Sequence, residues 1–339
     1  MNTKKKTTLL RTREGAVKYL NKARNEKNDE FYTILTDIEK ELNHYKKHFK
    51  NKIVLCNCDD PRVSNFFHYF SYNFEQLGLK KLITTCYKNQ DLDLFSQHKS
   101  EKAIYLEYEG DKNQNKVPDP KEIGIQKLKG DGDFRSEECI NLLKQADIVV
   151  TNPPFSLLGE YVEQLIEYKK KFLIVANWNA ITYKEIFKFI KKDEIWIGIN
   201  SNRNFSGFII PKHYSLHGTE ARIDEHGNRI VSTNNTCWFT NMDVAKRHED
   251  LILYKKYDKK NYPKYDNYDA IEVGKTSDIP MDYDGPMGVP ITFLNKYNPK
   301  QFEILGMDDH RLEYPNWRGR GPDLNGKPIY RRIIIKRIQ

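Results

Sequence analysis

Long apolar segments and cysteine pairs are both missing from this sequence of 339 residues. It has no run of about 18 apolar residues, so we expect no membrane-spanning helix. The basic residues from Met1 to Arg13 lack the apolar centre of a secretion signal, which favours a cytoplasmic protein. The five cysteines are odd in number and form no Cys-x-x-Cys pair. They predict free thiols in a reducing compartment without a structural zinc site, and we assign no metal ligands.

Basic residues exceed acidic ones along the chain. Lys and Arg number 56 against 47 Asp and Glu, which gives a formal net charge of +9. Nine basic residues fall within the first 28 positions, where apolar periodicity is weak. An excess of this size favours a polyanionic partner, although it carries no information about the fold. We therefore predict a basic N-terminal arm over residues 1–28.

Short apolar runs alternate with amphipathic segments between about Lys50 and Met242. The runs predict strands at Lys52–Cys58, Lys81–Tyr87, Lys102–Gly110, Asp147–Thr151, Lys171–Asn177, Glu194–Asn200 and Cys237–Met242. The intervening segments predict helices at Val63–Gly78, Ser136–Ala146 and Glu160–Lys170. Such alternation predicts a Rossmann-like α/β fold, with a mostly parallel sheet and helices on both faces. Because ligands of such sheets bind beyond the carboxyl ends of the strands, the turns after Cys58, Tyr87 and Thr151 should converge on one site.

The composition changes beyond Asp250. Tyr254–Asp269 interleaves five tyrosines with five lysines, and Trp317–Gln339 carries seven Lys or Arg against one acid. Both stretches are typical of nucleic-acid contact. We therefore predict a catalytic domain over residues 29–250 and a C-terminal DNA-recognition region over residues 251–339.

The most informative motif is Asn152-Pro153-Pro154-Phe155, which follows the strand predicted to end at Thr151. The lone pair of an exocyclic amino nitrogen is delocalised into the base, which makes this nitrogen a poor nucleophile. The Asn152 side chain and the Pro153 carbonyl can accept the two amino hydrogens, and the prolines stiffen the turn that holds these acceptors. Phe155 can stack on a base that has left the helix, where its amino group becomes accessible. The other interpretation is a simple turn after a strand.

Three more segments predict a site for S-adenosylmethionine (SAM). The aromatic rings of Phe31 and Tyr32 can close over the cofactor, with Thr33 near its carboxylate. Alternatively, these rings can pack in the core. An acidic turn after the strand that ends near Cys58 can hold the cationic amino-acid part of SAM, and it lacks the Gly-x-Gly pattern of a dinucleotide site. Asp133 can accept from the adenine amino group while Phe134 packs on the ring. The predicted cofactor residues are Phe31, Tyr32, Thr33, Cys56, Asp59, Asp60, Pro61, Asp133, Phe134 and Asn152.

Four motifs occur in a fixed order, namely DEFYT from Asp29, CNCDDPRVSNFF from Cys56, GDGDF from Gly130 and TNPPF from Thr151. In this order they resemble the EcoRI-type family of adenine-specific DNA methyltransferases. The resemblance implies a SAM-dependent sheet domain, a monomer, and methyl transfer to adenine in a short palindromic site of double-stranded DNA. It suggests a GAATTC-like site, a prokaryotic or phage source and a cognate restriction endonuclease as partner.

The sequence departs from the wider methyltransferase pattern at two points. The turn after the first strand has no glycine-rich segment. The second strand ends in Cys86-Tyr87-Lys88 without the acid that usually binds the SAM ribose, which leaves Glu107 as a remote candidate.

Several rival functions share part of this pattern. No cysteine follows a proline, which excludes the nucleophile of a cytosine-5 methyltransferase. Cytosine-N4 enzymes more often begin the tetrapeptide with Ser, so Asn152 favours adenine. Methylation of RNA adenine, of DNA cytosine N4 or of protein glutamine stays open, as does a DNA-binding module without enzymatic activity. SAM binding separates the last alternative from the others.

Overall fold

The computed structural model describes residues 32–58, 64–87, 103–115, 118, 122–201, 204–210, 221–231, 235–307 and 321–338. The strands within these ranges are β1 (Tyr32–Thr33), β2 (Ile53–Cys56), β3 (Lys81–Thr85), β4 (Ile104–Tyr108), β5 (Gly124–Lys127), β6 (Ile148–Thr151), β7 (Lys171–Asn177), β8 (Trp196–Ile197), β9 (Phe208–Ile210), β10 (Ala221–Ile223), β11 (Arg229–Val231), β12 (Thr236–Thr240), β13 (Ile271–Glu272), β14 (Met287–Pro290), β15 (Phe302–Met307), β16 (Asp323–Leu324), β17 (Lys327–Pro328) and β18 (Arg332–Arg337). The α-helices are α1 (Leu35–Leu42), α2 (Asn65–Tyr72), α3 (Phe74–Leu77), α4 (Glu137–Gln145), α5 (Leu158–Glu167) and α6 (Lys184–Lys191). The predicted basic arm lies outside the described residues.

The largest sheet has eight strands in the order β5-β4-β3-β2-β6-β7-β12-β8. Its centre, β3-β2-β6-β7, is parallel. The strands β4, β5, β12 and β8 at its two margins pair antiparallel. The prediction of a mostly parallel sheet is therefore wrong at both margins. Parallel neighbours need a long crossover, and α2 with α3 supplies it between β2 and β3, as α5 does between β6 and β7.

Local signals set the ends of the predicted helices. The Ser64 side chain accepts a hydrogen bond from the Phe67 amide at the start of α2, and Ser136 accepts from the Cys139 amide at the start of α4. Both satisfy an amide that has no partner inside the helix. Gly78 ends α3 in the left-handed conformation, at φ 63°, as predicted from its position.

Helices cover both faces of the large sheet, as predicted. Leu55 and Val149 face the side that packs on α4, α5 and α6. Val54 and Val150 face the opposite side, where α1 and α2 pack. The alternation of side chains along each strand thus divides the apolar residues between two cores.

The strand predicted at Glu194–Asn200 is reduced to Trp196–Ile197. The cause is Glu41 of α1, whose carboxylate accepts hydrogen bonds from the amides of Ile199 at 2.8 Å and Asn200 at 2.7 Å. A Cβ at Gly198 would lie 2.3 Å from Glu41 Oε1, so only glycine allows this approach. The backbone that would continue the strand is bound to a helix instead.

A second sheet of four short strands has the order β1-β9-β11-β10. All of its pairs are antiparallel. The Asp37 carboxylate on α1 accepts from the amide and the hydroxyl of Ser206, each at 2.7 Å, just before β9 begins. Helix α1 therefore fixes both the segment after β8 and the entry into this small sheet.

The C-terminal region contains a sheet in the order β13-β14-β18-β15. Arg332 on β18 binds Glu272 on β13, with 2.6 Å between Nη2 and Oε1. Within Tyr254–Asp269, Tyr262, Tyr265 and Tyr268 are buried while all five lysines are exposed. The tyrosines interleaved with these lysines are therefore mainly core residues, which corrects their interpretation as a nucleic-acid contact. The sequence pattern did not separate the two roles, because a tyrosine ring packs in an apolar core as readily as it contacts a ligand at the surface.

No helix among the described residues has both the length and the apolar character needed to cross a membrane. All five cysteines are free thiols, and only Cys58 is partly accessible.

Candidate active site

Three loops meet at the carboxyl edge of the large sheet because β3, β2 and β6 are neighbours. Asn57, directly after β2, joins two of them. Its backbone carbonyl accepts a hydrogen bond from the Thr151 hydroxyl at the end of β6. Its side-chain oxygen accepts a hydrogen bond from the hydroxyl of Tyr161 on α5. Asn57 is buried, so these contacts fix the spacing between the ends of β2 and β6.

The tetrapeptide from Asn152 follows β6 at this edge. The Asn152 side chain is buried, with 8% of the residue exposed, and Pro153 is buried beside it. Phe155 begins a short 3₁₀ turn that leads into α5. The motif therefore lies at the carboxyl end of β6, between this strand and helix α5.

Phe155 packs against the small sheet. Its ring lies 6.1 Å from the ring of Phe208 on β9, at an interplanar angle of 75°. Phe208 is the cross-strand partner of Thr33 on β1. The structure thus brings the predicted Tyr32-Thr33 segment to the predicted catalytic motif, although they are far apart in sequence.

Thr33 is buried, and its hydroxyl has no hydrogen-bond partner among the residues that the structure describes. The Thr33 carbonyl accepts from the side-chain nitrogen of Asn65 at 2.8 Å, which links β1 to the first turn of α2. A buried hydroxyl of this kind favours a ligand that carries a hydrogen-bonding group. Phe31, the neighbouring predicted residue, lies outside the described residues.

The GDGDF loop crosses the end of β3. Gly132 has φ 81°, and a Cβ there would lie 2.1 Å from the carbonyl oxygen of Cys86. Only glycine allows the loop to touch the strand end so closely. Asp133 and Phe134 are therefore held over the carboxyl edge, next to the turn that follows β2.

Asp133 is bound by its neighbour Arg135. The Asp133 carboxylate accepts from Nε at 2.9 Å and from Nη2 at 2.7 Å, and Arg135 also binds Glu160 on α5 at 2.9 Å. Hydrogen bonding from the Arg135 side chain holds the pKa of Asp133 below its ordinary value. The carboxylate is thus charged at neutral pH and oriented, and its remaining lone pairs can still accept from a ligand.

Phe134 is buried against Tyr161. Their ring centroids are 5.0 Å apart, and the rings meet edge to face at 80°. Burial raises the pKa of Tyr161 well above its ordinary value, so its hydroxyl stays protonated and donates to Asn57. One tyrosine therefore supports both the GDGDF loop and the turn after β2.

The described part of the turn after β2 contains no glycine. Cys58 adopts φ 81°, a conformation that usually requires glycine. The Cys56 side chain faces the core on the α1 and α2 side, so only its backbone is directed along the sheet edge. Asp59, Asp60 and Pro61 lie outside the described residues.

Glu107 is not at this edge. It pairs across the strands with Ile83 in β3, and its carboxylate lies 3.5 Å from the Lys81 amine at the first residue of that strand. Because β4 is antiparallel to β3, a residue late in β4 lies near the beginning of β3. This geometry is contrary to the proposed ribose contact of Glu107.

The residues at this edge fit an elongated ligand with an aromatic part and a charged part. Phe134 offers an apolar ring that is 7% exposed, Asp133 offers a charged carboxylate, and Thr33 offers a buried hydroxyl without a described partner. Sequence reasoning missed Asn57, Arg135 and Tyr161. Asn57 lay inside a recognised motif, but its partners Thr151 and Tyr161 are 94 and 104 positions away.

Comparison with known proteins gives a consistent result. A family model described as adenine-specific methyltransferase EcoRI matches residues 19–338. The Type II methyltransferase M.EcoRI of Escherichia coli is 54% identical over 330 residues, covering 96% of this chain and 98% of that protein. M.MgeORF184P of Mycoplasma genitalium is 39% identical, covering 95% and 99%. M.MpnI of Mycoplasma pneumoniae is 36% identical, covering 95% and 98%. No solved structure matches the chain.

Proposed function

Because this chain belongs to the family of EcoRI-type adenine-specific methyltransferases, we propose that it methylates the amino group of an adenine flipped out of double-stranded DNA. The methyl donor is SAM, the cofactor of Type II adenine methyltransferases. The target adenine lies in a short GAATTC-like site.

The observation that carries this proposal is the position of Asn152-Pro153-Pro154-Phe155 at the carboxyl end of β6. The preceding residue, Thr151, is bound to the turn after β2, which restrains the start of the motif. The Asn152 side chain and the Pro153 carbonyl accept the two amino hydrogens of the base. Acceptors that are fixed before the reaction stabilise the pyramidal nitrogen without reorganisation. Phe155 provides the surface on which the extruded base stacks.

SAM supplies an activated methyl group when it is bound. Asp133 accepts from its adenine amino group, and Phe134 packs on the adenine ring. The Thr33 hydroxyl, which is buried and has no described partner, binds the carboxylate end. Phe31, Tyr32 and the turn from Cys56 to Pro61 complete the predicted cofactor site. These loops belong to a Rossmann-like sheet domain over residues 29–250.

Double-stranded DNA is the proposed partner, bound by the basic arm and by the region 251–339. The proposal includes a monomeric, cytoplasmic enzyme. The designation of the relatives as Type II methyltransferases supports a cognate restriction endonuclease in the same system.

The test is methylation of a plasmid with one GAATTC site, followed by long-read mapping of modified bases. We expect N6-methyladenine within this site and none in a plasmid whose site is scrambled. A methyl group on cytosine N4, or methylation of RNA in preference to duplex DNA, would contradict the proposal. A protein that binds DNA but no SAM in calorimetry would instead be a binding module.

A further inference from the structure

Strand β3 reaches the candidate site without an acid at its carboxyl end. The two residues that follow it are Cys86, which is buried, and Tyr87, whose ring is 46% exposed. Glu107 lies near the opposite end of this strand, beside Lys81. A nucleoside cofactor bound at the carboxyl edge presents two adjacent ribose hydroxyls, which need an acceptor. A carboxylate from the GDGDF loop lies beside this strand end instead.

Gly132 places Asp131 of this loop beside the end of β3. A Cβ at Gly132 would lie 2.1 Å from the Cys86 carbonyl oxygen and 2.9 Å from the Cβ of Ala103, which precedes β4. The carboxylate of Asp131, the preceding residue, is hydrogen-bonded to the Tyr87 hydroxyl. Burial and the nearby carboxylates raise the pKa of Tyr87, so its hydroxyl is protonated and donates. A backbone contact and a side-chain contact therefore hold Asp131 at the strand end.

The loop is fixed on both sides of Asp131. Before this residue, the Glu138 carboxylate on α4 accepts from the Lys129 amide at 2.9 Å and from the Gly130 amide at 3.3 Å. After it, the Asp133 amide donates to Asp131 Oδ1 at 3.0 Å. A carboxylate has about four lone-pair sites, so Asp131 can also accept from a ligand while these contacts orient it.

The two aspartates of the loop occupy different places along the sheet edge. Asp133 is bound by Arg135, which also binds Glu160 on α5. Asp131 is exposed and contacts Tyr87 after β3. The loop therefore runs from the end of β3 toward α5. A ligand that contains a base and a sugar can meet Asp133 with one part and Asp131 with the other.

We propose that Asp131 accepts hydrogen bonds from the ribose hydroxyls of SAM, in place of the acid that β3 lacks, and that Tyr87 positions its carboxylate. A carboxylate suits two adjacent hydroxyls because it has two acceptor oxygens side by side. Hydrogen bonds to an ionised acceptor are also about twice as strong as those between neutral groups. The inference rests on the proposed function, since it requires SAM to bind at this edge.

The test compares Asp131→Asn with a matched control, Asp147→Asn, in calorimetric titrations. Asp147 also has a carboxylate that accepts from a backbone amide, that of Ile53 at 2.9 Å, and its side chain is 44% exposed. It precedes β6 and thus lies at the opposite edge of the sheet. The ligands are S-adenosylhomocysteine and its 2′-deoxy and 3′-deoxy analogues. We expect Asp131→Asn to bind S-adenosylhomocysteine about tenfold more weakly than the parent, and Asp147→Asn to bind it equally well.

Removal of a ribose hydroxyl separates a direct contact from a structural role. The parent and Asp147→Asn should bind at least one deoxy analogue about tenfold more weakly than S-adenosylhomocysteine. Asp131→Asn should bind both ligands alike, because the two changes remove the same interaction. Tyr87→Phe, which keeps the ring, should reduce this preference less than Asp131→Asn does.

A preference for the ribose hydroxyls that persists in Asp131→Asn would overturn the inference. Its loss in Asp91→Asn, which changes the next acid after β3 in the sequence, would also overturn it. A parent protein that binds neither SAM nor S-adenosylhomocysteine would refute the proposed function instead.

Discussion

The role proposed for Asn152 is a single side-chain contact to the amino group of the base, and that contact should matter most in the transition state. We predict that Asn152→Ala binds SAM and DNA nearly as well as the parent but loses about 100-fold or more in rate. Rapid-quench single-turnover kinetics with labelled SAM measures this loss. Methylation by Asn152→Ala at the parent rate would show that the tetrapeptide is a simple turn without a catalytic role.

Phe155→Ala serves as the matched comparison for Asn152→Ala within the same motif. It removes a stacking surface, and base stacking on a ring contributes about 1–3 kcal/mol. A 2-aminopurine duplex should therefore report less extrusion with Phe155→Ala than with Asn152→Ala. Less extrusion with Asn152→Ala than with Phe155→Ala would contradict the roles assigned to these two residues.

Tyr161 has no predicted contact with substrate, yet it supports two loops of the candidate site through Asn57 and Phe134. Tyr161→Phe removes the donor to the buried side-chain oxygen of Asn57, and an unsatisfied buried acceptor costs about 1–3 kcal/mol. We predict a lower free energy of unfolding in urea and a raised KM for SAM, with a smaller change in kcat. The control is Tyr72→Phe, because Tyr72 is 63% exposed. Equal effects of the two substitutions would remove Tyr161 from this role.

At the scale of elements, the loop from Gly130 to Phe134 allows a sharp test. A Cβ at Gly132 would collide with the Cys86 carbonyl, whereas a Cβ at Gly130 would meet no atom within 4 Å. We predict that Gly132→Ala weakens SAM binding about tenfold or more, since the loop must move or strain, and that Gly130→Ala leaves it unchanged. Calorimetric titration with SAM measures both. Equal affinities would show that this loop does not hold the cofactor.

Elements with strong local signals were predictable from the sequence. Apolar runs located β2, β3, β6 and β7, and Ser136 and Gly78 marked helix ends. The antiparallel margins were not predictable, because strand direction depends on pairing between distant segments. The small sheet, whose strands have two or three residues, also lacks a sequence signal, and the sequence predicted β8 but not its short length. In β8, the contact between Gly198 and Glu41 determines where pairing stops.

The candidate site, like the fold, was predictable only in part from the sequence. Its motifs from Gly130 and Asn152 were visible as residue patterns next to strand ends. Their mutual support was not visible, because Asn57 binds partners about one hundred positions away. The sequence of the C-terminal region predicts a basic aromatic surface that its buried tyrosines do not form, for a related reason. A sequence shows that tyrosines and lysines are interleaved but not which of the tyrosines face the core.

At the scale of the whole molecule, the net charge of +9 predicts a strong dependence of DNA binding on salt. The logarithm of affinity should fall against the logarithm of salt concentration with a slope of about −0.9 per phosphate neutralised. Deleting residues 1–24 should flatten this slope and leave the preference for the site largely intact, because backbone contacts position a protein and base contacts specify the sequence. Fluorescence anisotropy over a salt series, on specific and scrambled duplexes, measures both. An unchanged slope would show that the arm does not contact the DNA phosphates.

The C-terminal sheet shares a continuous apolar core with the catalytic sheet. Leu55 in β2 and Ile335 in β18 belong to the same buried cluster, and α6 packs against β15 between them. Exchange of the C-terminal region between two relatives would therefore replace part of a shared interior together with the region proposed to contact DNA. Since close-packed interiors tolerate volume changes poorly, new specificities in this family are more accessible through single surface substitutions than through the recombination of whole segments.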